Sequence, residues 1–192
     1  MSATQRKGLL MVPADIVDFW REAGPKRWYA KEPAFDEEIR QRFEATHHAA
    51  ARGEYDAWAE TAEGALALLL LLDQFPRNLY RDSAHAFATD GLARQVASDA
   101  IERGHDRAAD PALREFFYLP FAHAEDLQIQ DRGVELSRAA GQEAGEAHPG
   151  MWSLLHREII AKFGRFPHRN AGLGRTTTPD EQAFLDAGGF AG

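Results

Sequence analysis

Two short segments carry residue types that could bind an anion. The chain contains only two asparagines, and each follows an arginine just after a Phe-Pro pair, in residues 75–78 (Phe-Pro-Arg-Asn) and 166–170 (Phe-Pro-His-Arg-Asn). We call these the Phe-Pro segments. Each follows an apolar stretch predicted to be helical, where proline prevents continuation and the last carbonyls lack partners. Guanidinium and amide groups in two equivalent segments could donate hydrogen bonds to one anionic ligand. They could equally bind the helix carbonyls and nearby carboxylates, as structural latches.

An acidic residue lies just before the first of these segments. Asp73 ends the row Leu66, Leu69 and Leu70 on a helix that is apolar nearly all round, which predicts a partly buried carboxylate. A buried charge without a partner costs several kcal/mol. We therefore expect Asp73 to be paired with Arg77 or Arg169.

A third polar group is predicted on the sixth helix, over residues 122–140. His123, Asp126 and Gln130 follow an i, i+3, i+7 spacing, which puts them on one face. A carboxylate that orients a histidine makes it a better-positioned general base, so this pair could serve a hydrolase-type enzyme. The alternative is a solvated or helix-capping His123. A metal site needs at least three ligands, and no Glu-x-x-His or His-Glu-x-x-His pattern is present, so we expect neither a metal nor a cofactor.

The remaining histidines and the tryptophans favour structural roles. His156 lies on an apolar stripe and is expected to be a core histidine with one hydrogen bond, whereas His47 and His48 are expected on a solvated helix end. The tryptophans are all expected to fill the core: Trp20, Trp28, Trp58 and Trp152.

Several catalytic classes are excluded by motif or composition. The chain has no Cys, which rules out disulfides, thiolate zinc sites and cysteine nucleophiles. It has no Gly-rich phosphate loop, no Gly-x-Ser-x-Gly elbow and no dinucleotide-binding fingerprint.

The elements that must position these residues are predicted to be helices. Of 192 residues, 34 are Ala and 18 Leu, against 4 Val and 6 Ile. That ratio favours helix over strand. We expect an all-α single domain over residues 1–192, with about seven to nine helices in stacked antiparallel pairs, as a tetratricopeptide-like array.

Local signals set the expected helix boundaries. Proline or a capping side chain predicts helix starts near Pro13, Pro33, Thr61, Thr89 or Asp90, Asp110-Pro111, Trp152 and Thr178. Pro120 is expected to break the helix that starts at Asp110-Pro111. Residues 141–150 are rich in Gly, Glu and Ala and are expected to form a surface loop.

The net charge of the chain limits the classes of partner that we expect. The net charge is −8 and the pI about 5.5, which argues against nucleic acid or an anionic membrane as the main partner. The longest apolar run, residues 65–72, is far shorter than the roughly 20 residues of a membrane span. The N-terminal apolar stretch is too short for a signal peptide, so we expect a cytoplasmic protein.

Several motifs resemble one known family over nearly the whole chain. They are Asp18-Phe19-Trp20, Arg27-Trp28-Tyr29, Leu72-Asp73-Gln74 with the first Phe-Pro segment, Ala88-Thr89-Asp90, Phe117-Tyr118-Leu119-Pro120-Phe121 with His123 and Glu125-Asp126, and Gly164-Arg165 with the second Phe-Pro segment. In this order they resemble the bacterial family of unknown function numbered 924. The resemblance implies an all-helical, tetratricopeptide-like fold and no particular reaction.

Three functions are compatible with these residues. The leading hypothesis is a binding module for a small anionic molecule or an acidic peptide end, with arginine and His168 as donors, the asparagines orienting the ligand, and Asp73 and Asp126 as counter-charges. Its candidate ligand-binding residues are Asp73, Arg77, Asn78, Glu125, His168, Arg169 and Asn170. The alternatives are a hydrolase-type enzyme using His123 and Asp126, and a protein-interaction scaffold. The oligomeric state is not predicted.

Overall fold

The chain folds into helices joined by short turns. A computed structural model describes residues 11–190, and over that range it contains no strand. The α-helices are α1 (Pro13–Ala23), α2 (Pro25–Trp28), α3 (Pro33–Ala51), α4 (Ala62–Leu69), α5 (Phe75–Leu79), α6 (Asp90–Glu102), α7 (His105–Ala108), α8 (Leu119–Ala122), α9 (Leu127–Glu143), α10 (Met151–Phe163) and α11 (Pro179–Asp186). The all-α class is confirmed. The tetratricopeptide-like stacking and the single domain remain predictions.

Helix boundaries with strong local signals lie where they were predicted. α1 and α3 each begin at a proline, which needs no intrahelical donor in the first turn. α11 begins with a capping box, in which the Thr178 hydroxyl accepts from the Glu181 amide at 3.3 Å and the Glu181 carboxylate accepts from the Thr178 amide at 2.8 Å. Gly164 ends α10 in the left-handed conformation, with φ of 69°.

Two predicted boundaries differ from the structure. The sixth predicted helix does not begin near Ala122, because α9 begins at Leu127 with Asp126 as its N-cap. It extends to Glu143, so the predicted loop is shortened at its start. The stretch Pro111–Phe117 is a 3-10 helix rather than an α-helix, and α8 follows it as a separate turn. Short-range capping therefore overrides the longer apolar pattern here.

The apolar core forms one large cluster and one small one. The large cluster surrounds α4, which is buried on all sides from Gly64 to Leu69, and it includes Trp20 and Phe75. The small cluster contains Ile159, Ile160 and Phe166, with Phe190 packed against it. The two Phe-Pro segments thus anchor in different clusters. No helix within residues 11–190 is both long and apolar enough to cross a membrane.

The prediction that Trp152 fills the core is wrong. Its side chain is 66% exposed, and Leu155 is exposed as well. α10 instead turns Ser153 and His156 inward, and the Ser153 hydroxyl hydrogen-bonds the Ser137 hydroxyl of α9 at 2.8 Å. The predicted stripe is therefore buried at His156, Ile159 and Ile160 but exposed at its N-terminal end.

Because Trp152 is exposed, its replacement should affect stability little. We expect Trp152→Ser to change the free energy of unfolding by about 0.5 kcal/mol or less. Trp20→Ala, which empties a fully buried site, should cost about 3–5 kcal/mol. Urea unfolding of both variants checks this, and a large loss for Trp152→Ser would show that its side chain is covered.

Candidate functional site

The first Phe-Pro segment does not end its helix. α4 passes into α5 through a π-helical turn, Leu70–Gln74, in which the Phe75 amide donates to the Leu70 carbonyl. Pro76 then lies in the first turn of α5, where no donor is required of it. Such π turns are rare and occur frequently at functional sites. Asp73 lies within this turn.

Side chains satisfy the carbonyls that the π turn and Pro76 leave free. The Leu71 carbonyl accepts from His47 Nδ1 at 2.8 Å, and the Leu72 carbonyl accepts from the Thr89 hydroxyl at 2.6 Å. The Asp73 carbonyl accepts from the Arg77 guanidinium. His47 is buried. The prediction that it lies on a solvated helix end is wrong. These bonds hold the turn that presents Asp73.

Asp73 is buried and paired. Its side chain is 1% exposed, and its Oδ1 lies 3.3 Å from Arg77 Nη1, which confirms the predicted arginine partner. The same oxygen accepts from His123 Nδ1 at 2.8 Å. Burial acts to raise the pKa of Asp73, but Arg77 and His123 oppose it and hold that pKa below its usual value. The His123 contact joins residues 50 positions apart, and no local sequence signal indicates it.

Asp90 joins the two Phe-Pro segments. Arg77 Nη2 donates to both carboxylate oxygens of Asp90, at 3.1 and 3.2 Å, and Arg169 Nη1 lies 3.7 Å from Oδ2. Burial raises the pKa of Asp90, with Arg77 opposing. The sequence identified Asp90 as a helix-capping candidate and as part of a family motif, but not as a site residue. Asp90 begins α6 directly after Thr89. Because the Thr89 hydroxyl donates to the Leu72 carbonyl, Asp90 lies beside the π turn.

Arg169 is a buried cation whose guanidinium makes no hydrogen bond to any residue within 11–190. Its side chain is 6% exposed, and its buried Nε is without a partner in that part of the chain. Its Cζ lies 4.5 Å from the ring centroids of both Phe87 and Phe166, which favours a cation through the π faces. Burial and Arg77 lower its pKa to about 10, although Asp90 opposes this shift. Arg169 remains charged at neutral pH.

The predicted pair of His123 and Asp126 does not form. His123 follows α8 and turns its Nδ1 to Asp73, whereas Asp126 caps α9 by accepting from the amides of Gln128 at 2.9 Å and Ile129 at 3.0 Å. Because α9 begins after Asp126, the two residues do not share a helix face. Gln130 is buried and donates to the Ala122 and Ala124 carbonyls.

Asp126 should therefore matter for stability alone. We expect Asp126→Ala to lower the free energy of unfolding by about 1 kcal/mol, because two α9 amides lose their acceptor. Chemical denaturation measures this. NMR of the variant checks His123. If its hydrogen bonding or titration changed, the assignment of Asp126 to helix capping alone would be wrong.

The two asparagines belong to separate networks. Asn78 Nδ2 donates to Asp36 Oδ1 at 2.8 Å. Asn170 Nδ2 donates to Glu181 at 3.1 Å, and its Oδ1 accepts from Arg175 Nε at 3.0 Å. Both amides are engaged internally, so the expectation that they jointly orient a ligand finds no support in this geometry.

Glu125 and His168 lie beside the second Phe-Pro segment. Glu125 accepts from the Phe166 amide at 2.8 Å and from Arg175 Nη1 at 2.6 Å, which makes it part of a local ion pair. The His168 ring lies 5.5 Å from that of Phe166 and 5.2 Å from that of Phe190, measured between centroids. Its Nδ1 is buried without a partner in residues 11–190. Burial and Arg169 lower its pKa to about 3.

His156 completes the set of buried histidines. It is a core residue, as predicted, and its Nδ1 hydrogen-bonds the Ala122 carbonyl at 3.1 Å. Its ring centroid lies 6.2 Å from that of His123 and 5.5 Å from that of Phe166. Burial lowers its pKa to about 4, against the opposing effect of that carbonyl. His156 thus bridges the region of His123 to that of Arg169.

Asp73, Arg77, Asp90, His123 and Arg169 form one continuous set of contacts, which we call the arginine cluster. Solvent reaches it beside Arg77 and His123, whose side chains are 21% and 13% exposed. A separate surface groove of about 330 Å³ lies elsewhere, between α6 and α9, and contains Arg94, Phe121 and Arg132. None of the candidate catalytic or ligand-binding residues predicted from the sequence lines that groove.

Comparisons with known proteins assign the family without assigning a reaction. No curated protein matches the chain. Among solved structures, it is similar to ATU0120, a protein of unknown function from Agrobacterium tumefaciens, with 52% sequence identity and a TM-score of 0.83. That match covers 91% of this chain and 97% of the other. The profile of the bacterial proteins of unknown function DUF924 matches residues 16–189, and the chain therefore belongs to the DUF924 family.

Proposed function

We propose that this protein binds a small anion at the arginine cluster. The observation that carries the proposal is the state of the Arg169 guanidinium. It is buried and charged, and it makes no hydrogen bond within residues 11–190. A guanidinium presents five N–H donors, and buried polar groups are normally satisfied. An anion placed against Arg169 would supply acceptors for those donors.

Arg77 alone would support the latch interpretation. Its guanidinium is occupied by the Asp73 carbonyl and by the Asp73 and Asp90 carboxylates. Arg169 differs, because its nearest carboxylate oxygen is 3.7 Å away and belongs to Asp90, which Arg77 already engages. The Arg169 guanidinium therefore favours a ligand-binding site over a purely structural role of the second Phe-Pro segment.

The enzyme alternative takes a different form from the one predicted. Asp73, not Asp126, orients His123. Burial, reinforced by Arg77 and opposed by Asp73, lowers the pKa of His123 to about 4. A general base works best with a pKa near the operating pH, so His123 is a weak proton acceptor for catalysis at neutral pH. This favours binding over hydrolysis.

Replacing Arg169 by methionine tests the proposal. Arg169→Met keeps an unbranched side chain against Phe87 and Phe166, and Asp90 keeps its two bonds from Arg77. We expect the variant to fold and to bind inorganic phosphate about tenfold or more weakly, because a hydrogen bond to a charged group contributes about 1.5–3 kcal/mol. Isothermal titration calorimetry gives the two affinities.

The matched control is Arg52→Met, which removes one positive charge from an exposed arginine paired only with Glu54. It should bind phosphate as the unmodified protein does. If Arg169→Met lost thermal stability while phosphate affinity stayed unchanged, or if no phosphate bound at all, Arg169 would be a latch and the proposal would be wrong.

A further inference from the structure

His123 presents a hydrogen-bond acceptor at the arginine cluster. Its Nδ1 lies 2.8 Å from Asp73 Oδ1, and an ionised carboxylate can only accept, so Nδ1 carries the proton. In the neutral ring Nε2 then has a free lone pair. Nε2 makes no hydrogen bond to any residue in the described range 11–190, and the ring is partly exposed. Asp73 thereby fixes one tautomer of His123.

The charges of the cluster cancel. Arg77 and Arg169 contribute two positive charges, and Asp73 and Asp90 contribute two negative charges in the same chain of contacts. His156 and His168, which adjoin it, are neutral at neutral pH because burial lowers their pKa values to about 4 and 3. The cluster therefore presents the donors of Arg169 and the Nε2 acceptor of His123 without a large net positive field.

We propose that the cluster selects a phosphate-type oxyanion that still carries a proton over one that carries none. This inference rests on the proposed function. Arg169 would bind the charged oxygens, and the hydroxyl of hydrogen phosphate would donate to His123 Nε2. Sulfate has the same size and shape but no proton at neutral pH. A sulfate oxygen would face the lone pair of His123 Nε2, and neither of these two acceptors would have a donor. Two unsatisfied acceptors in contact strongly disfavour the binding of sulfate.

The ligand could be free phosphate or a phosphate monoester. The two differ in protonation, because the second ionisation of a monoester has a pKa of about 6. Above that pH the ester has mostly lost its proton, while inorganic phosphate keeps one. The selection therefore favours free phosphate at neutral pH, and it predicts that methyl phosphate binds well under mildly acidic conditions and much more weakly under mildly alkaline conditions, while inorganic phosphate changes little.

Calorimetric titration with inorganic phosphate and with sulfate at neutral pH tests the selection. We expect phosphate to bind at least about tenfold more tightly than sulfate, which corresponds to about 1.4 kcal/mol. In His123→Phe, the ratio of the two affinities should fall to about twofold or less. A purely structural role of His123 would weaken both anions together and leave their ratio unchanged.

A second measurement covers the case in which His123→Phe does not fold. In the unmodified protein, the ¹⁵N resonance of His123 Nε2 should shift toward the hydrogen-bonded position on addition of phosphate and stay unchanged with sulfate.

The outcomes separate the two proposals. If neither anion binds, the proposed function fails and the selection fails with it. If both bind with equal affinity and Arg169→Met weakens both, anion binding stands and the selection is overturned. Equal binding of methyl phosphate under acidic and alkaline conditions would also overturn the selection, because a protonless ester would then be accepted.

Discussion

Asp73→Ala is expected to lower the free energy of unfolding by about 3–5 kcal/mol, the usual cost of removing one partner from a buried ion pair. The substitution removes one of the two buried carboxylates that pair with Arg77 and leaves His123 Nδ1 without an acceptor. Urea unfolding followed by circular dichroism measures the loss.

An exposed acidic residue provides the matched control. Asp131 forms an ion pair with Arg157 at 2.8 Å, and its side chain is largely exposed. Exposed pairs contribute about 0–1 kcal/mol, so Asp131→Ala should change stability little. If Asp73→Ala cost no more than Asp131→Ala, Asp73 would not be the buried centre of the cluster.

Acidification should destabilise the protein through its buried histidines. The pKa values of His123, His156 and His168 are lowered to about 4, 4 and 3, chiefly by burial. Their unfolded value is about 6.5. Between these limits the unfolded chain binds more protons than the folded one, so the stabilisation present above about pH 6.5 is lost as the pH falls. Each neutral histidine contributes a slope of at most about 1.4 kcal/mol per pH unit.

Other groups also contribute to this dependence. Burial lowers the pKa of His47, which adds to the loss. Burial raises the pKa values of Asp90 and Glu115, which bind their protons more readily in the folded state and oppose the loss. Asp73, whose pKa is lowered, costs stability only under more acidic conditions. Unfolding measured from about pH 7 down to about pH 5 should therefore report mainly the histidines.

His156→Leu isolates one histidine. The Ala122 carbonyl keeps its bond from Gln130, so the substitution leaves no buried acceptor empty. The dependence of stability on pH should be shallower than in the unmodified protein by up to about 1.4 kcal/mol per pH unit. An unchanged slope would mean that His156 titrates in the folded protein as it does in the unfolded chain, and a steeper slope would mean that the folded state binds the proton of His156 more readily.

Features set by neighbouring residues were predictable from the sequence. Proline at the first position of α1 and α3, and the capping box at Thr178, act within a few residues and lie where they were expected. The all-α class followed from the excess of Ala and Leu. A buried Asp73 with an arginine partner followed from its place on an apolar row and from the cost of a buried charge without a partner, although the sequence left Arg77 and Arg169 open as that partner.

Features that depend on distant contacts were not predictable in this way. Asp126 precedes α9 rather than sharing it with His123, so the apparent polar stripe never forms. His123 meets Asp73, and Arg169 meets Asp90, only because separate helices pack together. The matching Phe-Pro segments suggested that both asparagines act alike, but Asn78 and Asn170 bond to different carboxylates, Asp36 and Glu181.

The most direct test of anion binding is to locate the anion. Arsenate carries a proton at neutral pH as phosphate does, and its anomalous scattering identifies it in crystals of the unmodified protein. The account predicts an anomalous peak whose oxygens lie about 2.7–3.2 Å from the guanidinium nitrogens of Arg169. No peak there at saturating arsenate, or peaks only at surface arginines such as Arg94 and Arg132, would contradict it.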